Sequence, residues 1–390
     1  MYRLGVLCFE GQAVRRDLSL AADLFKRAAA KGYAPAQNAF GFMLQNGLGV
    51  EKNEREAAAW YERAAGLGDP EAQNNLGWLY QEGRGVERSI DQAVAWYSRA
   101  AGGGNAVAAY HMGLLYETGA YGLRDGIPDR KAALDWYRKA AAHGDAMAQY
   151  KLGKALLEGA GLDPDPVAGL SLVEKSAAQG NPFAQYLLAL QLAGDGYKPT
   201  DEPAAMRLAL SAAEKGLPRA GQLVGSFLEH GVGASKDPGA ALRWYREAAE
   251  RGDTESQRRL AKILDQGPRN LRSPREAALW YEKASSAGWP EADLRLGWFY
   301  QEGLGVERDY HEAMRRYRRA AESGIADANY RIAVLYDEGL GVQRDSRSAL
   351  RWYSKAAEEG HAEAKAVIGR LIKPSGREGD PFSPLKFGRF

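Results

Sequence analysis

The sequence predicts an all-α fold, a right-handed superhelical α-solenoid of about ten two-helix repeats. Three observations predict it. Glycines at Gly32, Gly68, Gly104, Gly144, Gly180, Gly216, Gly252, Gly288, Gly324 and Gly360 recur every 36 residues, with one interval of 40 between Gly104 and Gly144. A fixed period of roughly 20–50 residues marks stacked supersecondary units. Each period also carries two amphipathic stripes at helical spacing. Turn and cap residues fall at the same register in copy after copy.

Asp69–Gly104 is one full copy, with Asp69 as position 1. Positions 4, 8 and 12 (Ala72, Leu76, Tyr80) fall on one helical stripe. Positions 25, 28, 29, 32 and 33 (Ala93, Trp96, Tyr97, Ala100, Ala101) make a second, hence a second helix. Asp69-Pro70 and Asn181-Pro182 read as an N-cap with proline in the first turn. Position 21 is Asn53, Ser89, Asp129, Asp165, Asp201, Asp237, Ser273, Asp309 and Asp345, each a good N-cap for the second helix. Gly83 and Gly85 turn the chain between helices, and Gly104 closes the pair. Position 9 is Gly or Ala throughout, which lets two backbones approach, while Trp96 and Tyr97 fill the space between neighbouring pairs.

The run A-x-x-x-L-G-x-x-Y-x-x-G-x-G-V from Ala72 to Val86 and the run W-Y-x-x-A-A-x-x-G from Trp96 to Gly104 resemble the SEL-one-like repeat (SLR) family, a branch of the tetratricopeptide-like α-solenoids. The likeness recurs from the first residues to about Gly369. It implies a non-enzymatic scaffold or adaptor that binds other proteins and needs no cofactor.

Taken in order, repeats are expected near 1–32, 33–68, 69–104, 105–144, 145–180, 181–216, 217–252, 253–288, 289–324 and 325–360, with a cap helix over 361–373. The repeat from Asn105 has four extra residues in its loop Ala120–Asp129. Those from Asp145 and Asn181 replace the Trp-Tyr pair by Leu172-Val173 and Leu208-Ala209, and are expected to be the weakest. Residues 374–390 show no helical period and form a tail outside the solenoid. Its Phe382, Leu385, Phe387 and Phe390 are spaced by prolines and basic residues, as in a short attachment peptide.

Composition narrows the function. The chain balances 52 basic against 50 acidic residues for a net charge of +2, so no strong field favours nucleic acid. No apolar stretch is long enough for membrane insertion. The single Cys8 excludes an internal disulfide framework, unlike SLR proteins with a cysteine pair in each repeat, and reads as a buried thiol. Met1–Glu10 has too short an apolar core for a signal peptide. Two compartments stay open: cytoplasmic, or periplasmic with a leader and further repeats upstream.

Catalytic or metal chemistry finds no constellation. His111, His143, His230, His311 and His361 lie in separate repeats without ligand spacing, and read as surface residues. The G-x-G-V turns lack the lysine and strand of a phosphate loop. Arg315–Arg319 is the most basic patch and reads as a solvated helix face. Binding is expected elsewhere. Family resemblance puts first helices on the concave face, and a 100° step per residue aims positions 6, 10 and 13 away from the 4/8/12 stripe. The candidate groove residues are Tyr110, Tyr150, Tyr186 and Tyr330 at position 6, with Phe42, Trp78 and Trp298 at position 10. Tyrosine at position 6 has a second reading, packing between adjacent first helices. A rival function is an envelope-associated protein for polysaccharide or peptidoglycan assembly, since aromatic rows also stack on sugars.

Overall fold

A computed structural model describes residues 1–11, 14–120, 126–195 and 200–372. Among these residues there is no strand. The chain divides into two compact units, Met1–Asp201 and Glu202–Phe390. The first holds α1 (Tyr2–Glu10), α2 (Leu18–Ala29), α3 (Ala34–Asn46), α4 (Glu54–Gly66), α5 (Pro70–Glu82), α6 (Ile90–Gly102), α7 (Ala106–Thr118), α8 (Arg130–Ala142), α9 (Ala146–Glu158), α10 (Pro166–Ala178) and α11 (Pro182–Leu190). A π-helical turn over Gln191–Asp195 follows α11. The second holds α12 (Glu202–Glu214), α13 (Pro218–His230), α14 (Pro238–Glu250), α15 (Thr254–Gln266), α16 (Pro274–Ser286), α17 (Pro290–Glu302), α18 (Tyr310–Glu322), α19 (Ala326–Glu338), α20 (Ser346–Glu358) and α21 (Ala362–Ile372). Within each unit a helix packs chiefly on its neighbours in sequence, the arrangement of a helical-repeat solenoid.

The caps largely follow the register. The Asp69 carboxylate accepts from the Ala72 amide at 2.8 Å, and Asn53 from Glu56 at 3.0 Å. Ser273 departs: its side chain makes no cap bond, although its carbonyl accepts the first helical bond from Ala277. Gly83 ends α5 in the left-handed region at φ 68°. Gly85 answers a different need. At φ 71°, a Cβ there would lie 2.3 Å from the Glu54 carbonyl oxygen, so only glycine lets this loop close onto α4.

The core separates the two aromatic residues of each second helix. Ala93, Tyr97 and Ala100 are fully buried, whereas Trp96 is only half-buried, with the Arg99 guanidinium 4.7 Å from its ring. Trp60 with Arg63 and Trp136 with Lys139 repeat that arrangement. Both rings pack between repeats, the tyrosine wholly buried and the tryptophan in part. Adjacent residues on a helix point about 100° apart, so the tyrosine takes the core and the tryptophan a cation-covered shelf. Trp352 is half-buried as well, though Trp280 is buried.

Each buried tyrosine has a hydroxyl to satisfy, and one side chain does so. The Tyr61 hydroxyl donates to Gln45 at 2.8 Å, Tyr97 to Gln81 at 3.1 Å and Tyr137 to Glu117 at 2.6 Å. In the second unit Tyr245 donates to Glu229, Tyr281 to Asp265 and Tyr317 to Gln301 at 2.7–3.0 Å. These acceptors all occupy position 13, expected to face the groove. They turn back because a buried hydroxyl without a partner is costly. The small residue at position 9 makes room for the ring: a Cβ on Gly77 would lie 2.9 Å from Tyr97.

The basic run Arg315–Arg319 also departs from expectation. Arg316 stands at position 28, where six other repeats have tryptophan, and its side chain is only 13% exposed. It pairs with Glu282 at 2.6 Å, Glu312 at 2.7 Å and the buried Asp293 at 3.2 Å. Arg319 also reaches Asp293, Arg315 pairs with Glu312, and Arg318 donates to the Tyr336 hydroxyl. Internal carboxylates, not solvent alone, absorb this charge.

Candidate functional site

In the first unit, positions 3, 6, 7 and 10 of successive first helices open a cleft of about 510 Å³. Its apolar wall includes Tyr2, Val6 and Phe9 of α1, Phe42 of α3 and Val107 of α7. Phe42 is 42% exposed and meets Phe9 edge-on at 6.3 Å; Val107 is 45% exposed. Its polar wall is a set of carboxamides. Asn75 Nδ2 donates to Asn38 Oδ1 at 2.9 Å, and Asn38 Nδ2 donates to the Glu71 carboxylate at 3.4 Å. The Asn74 Oδ1 atom is buried and accepts no hydrogen bond. Glu10 and Glu71 line the cleft with no lysine or arginine among its lining residues.

The sequence-predicted residues take several environments. Phe42 lines this cleft and is exposed. Trp78 is half-buried beneath the Arg84 guanidinium, 4.9 Å from its ring. Tyr110 is half-buried against Tyr137 at 5.7 Å. Burial, followed by the Asp145 and Glu117 carboxylates, pushes its hydroxyl up to about 12. Half-buried Tyr150 stacks on the exposed Phe183 at 5.7 Å, and Tyr186 is half-buried. In the second unit, Trp298 lies half-buried under Arg295 at 4.5 Å. Tyr330 is half-buried between His361, stacked at 4.4 Å, and Tyr353. Phe382, Leu385, Phe387 and Phe390 lie outside the described residues, as does the rest of the tail.

Two histidines differ from the surface reading. The His361 side chain is 9% exposed and contacts Asp327 and Glu363. His111 is half-buried beside Tyr97 at 5.0 Å, and burial holds its imidazole below the ordinary range. Cys8 is a buried free thiol. Among the described residues no group of three or more His, Cys, Asp or Glu side chains converges as a metal site, and no helix is long and apolar enough to cross a membrane.

Sequence reasoning missed the asparagines because it followed aromatic side chains. Their signal was available. Asparagine is a poor residue for a helix interior, yet Asn38, Asn74 and Asn75 sit inside α3 and α5, at neighbouring registers of consecutive repeats.

A family model for the Sel1 repeat matches ten consecutive segments: residues 1–33, 34–69, 70–105, 106–145, 146–181, 182–217, 222–253, 254–289, 290–325 and 326–361. Among solved structures, c5321 is described as a protective antigen present in uropathogenic Escherichia coli strains, displaying an SLR fold. It is 30% identical over 95% of this chain and 87% of that one, with a TM-score of 0.59. A Sel1 repeat protein from Oxalobacter formigenes is 31% identical over 63% of this chain and 96% of its own, with a TM-score of 0.53. A comparison with curated protein sequences gives no match. With matched repeats along nearly its whole length, the chain belongs to the Sel1 repeat family, whose solenoids commonly mediate protein–protein interaction and are typically non-catalytic.

Proposed function

We propose that this chain is a non-enzymatic scaffold that holds partner protein on its first-helix faces and so helps assemble a multiprotein complex. The α1–α7 cleft is one seat for it. The observation that carries the reading is the exposed Phe42 beside a wall of asparagine amides, an apolar anchor next to groups that both donate and accept. Trp78 and Trp298, each already covered by an arginine, contribute less than Phe42.

A photo-crosslinking residue placed at 42 in the full chain tests the reading, with position 67 as control. Leu67 is 62% exposed at the end of α4 and does not line the cleft. Adducts at 42 that digest to peptides, with few at 67, support a protein-binding scaffold. Adducts that are glycans favour the envelope-polysaccharide alternative instead. Equal capture at both positions refutes the assignment of this face.

A further inference from the structure

We infer that the α1–α7 cleft takes an extended peptide segment carrying a lysine or arginine between apolar side chains. The inference rests on the protein-binding reading and narrows its ligand. The first ground is the amide wall. Asn38 on α3, Asn74 and Asn75 on α5 and Asn105 at the start of α7 stand on three successive first helices. Packed helices lie about 8–10 Å apart. An extended chain advances about 3.3 Å per residue, and the Asn38–Asn75 pair, bonded at 2.9 Å, offers it one shared contact point. A carboxamide donates and accepts, as an extended backbone does at every residue.

Charge is the second ground. Glu10 and Glu71 face the cleft, and among the described residues neither forms an ion pair. The aromatic rings support the same choice. Several aromatic rings elsewhere carry one of the protein's own cations: Arg84 on Trp78, Arg258 and Lys262 on the buried Trp289, Arg295 on Trp298. Phe9 and Phe42 have no such partner among the described residues. A ligand cation there gains both the carboxylates and the ring faces. Flanking apolar side chains gain the exposed surface of Phe42 and Val107.

The test uses the full chain and short peptides selected from a displayed random library, remeasured by fluorescence anisotropy. Selected peptides are expected to carry a lysine or arginine between apolar residues. Replacing that cation by glutamine should weaken binding about tenfold. The preference should vanish in the Glu10→Gln, Glu71→Gln double variant, with its melting temperature unchanged. Asn75→Ala should weaken cationic and neutral peptides alike, because it removes a backbone contact. Binding indifferent to the cation, or a preference that survives the double variant, overturns the inference and leaves the scaffold reading standing. If no peptide binds while residue 42 still crosslinks protein, the partner presents a folded surface and the inference fails alone. Failure of both experiments removes the scaffold reading too.

Discussion

Truncating the buried tyrosine of a second helix should cost far more than truncating the larger tryptophan beside it. Tyr97 is fully buried, its ring lies against the Gly77 backbone and edge-on to His111 at 5.0 Å, and its hydroxyl bonds Gln81 at 3.1 Å. Tyr97→Ala leaves a cavity and should cost about 3–5 kcal/mol. Tyr97→Phe keeps the ring and loses one hydrogen bond to a partner that water can reach, about 1 kcal/mol. Trp96 is half-buried beneath Arg99, so Trp96→Ala loses partial burial and a cation–π contact, about 1–2 kcal/mol. Packing adds a sharper test. Gly77→Ala alone should cost about 1–3 kcal/mol, since its Cβ would stand 2.9 Å from the Tyr97 ring. In the Tyr97→Ala background the same change should be harmless or stabilising, a coupling visible in a double-mutant cycle. Urea unfolding followed by hydrogen exchange across α5–α7 reads the five variants against the parent chain. Equal losses for Trp96→Ala and Tyr97→Ala, or additive costs in the cycle, would refute this division of the core.

The remaining predictions concern acid, buried charge and the C-terminal end of the first unit. Burial opposes ionisation of Glu117, but hydrogen bonds from Lys151 and Tyr137 hold its carboxyl below the ordinary 4.5. A depressed carboxyl stabilises above its unfolded value and loses that contribution as pH falls through its folded one. Tyr137→Phe should therefore lower the melting temperature near neutrality, with the gap closing as pH falls past the ordinary carboxyl value of 4.5 and through the lower folded one; a constant gap would count against it. Arg316→Leu should cost about 3 kcal/mol because it strips a cation from the buried Asp293, and adding Asp293→Asn should recover part of the loss. A cost near zero by urea titration would show that Arg319 and Ser285 suffice to hold Asp293. Amides of α10 and α11 should exchange before those of α4–α6, since Val173 replaces the tyrosine staple and the chain leaves α11 through a π turn. Slower exchange in α10 and α11 would contradict this.

Much of the fold was legible because it rests on local chemistry repeated many times. Period, cap residues and closing glycines name the helices, and no single copy has to carry the evidence. The tyrosine staple was legible too, as covariation inside one chain. Where position 29 is tyrosine, as in Tyr61, Tyr97, Tyr137, Tyr245, Tyr281 and Tyr317, position 13 is Gln45, Gln81, Glu117, Glu229, Asp265 and Gln301. Where position 29 is Val173 or Ala209, position 13 is Leu157 or Ala193. An angular step of 100° could not reveal it, because the step fixes where a Cβ points and a long side chain can turn back. Neither could the period show that Arg316 is enclosed, since its carboxylates come from three different helices.

The same comparison says where specificity resides. Position 25 holds almost entirely to alanine and position 29 largely to tyrosine, because a second helix must seat against its neighbours. Position 6 runs Asn38, Asn74, Tyr110, Tyr150, Tyr186, Gln222, Arg258, Leu294, Tyr330. Position 7 runs from Ala39 and Asn75 through His111 and Lys151 to Arg259, Arg295 and Arg331. A register that varies while its neighbours stay fixed is one that the common packing constrains less. In the first unit those positions include the amides Asn38, Asn74 and Asn75 beside Glu10 and Glu71, and further on Tyr110, His111 and Lys151; in the second they include Arg258, Arg259 and Arg295, which pair with Glu255, Glu229 and Asp265. The repeats thus present different side chains on the same backbone, and a ligand suited to one stretch is poorly suited to another. Selectivity in such a chain comes from which repeat supplies the side chains, with the helical frame held constant beneath them.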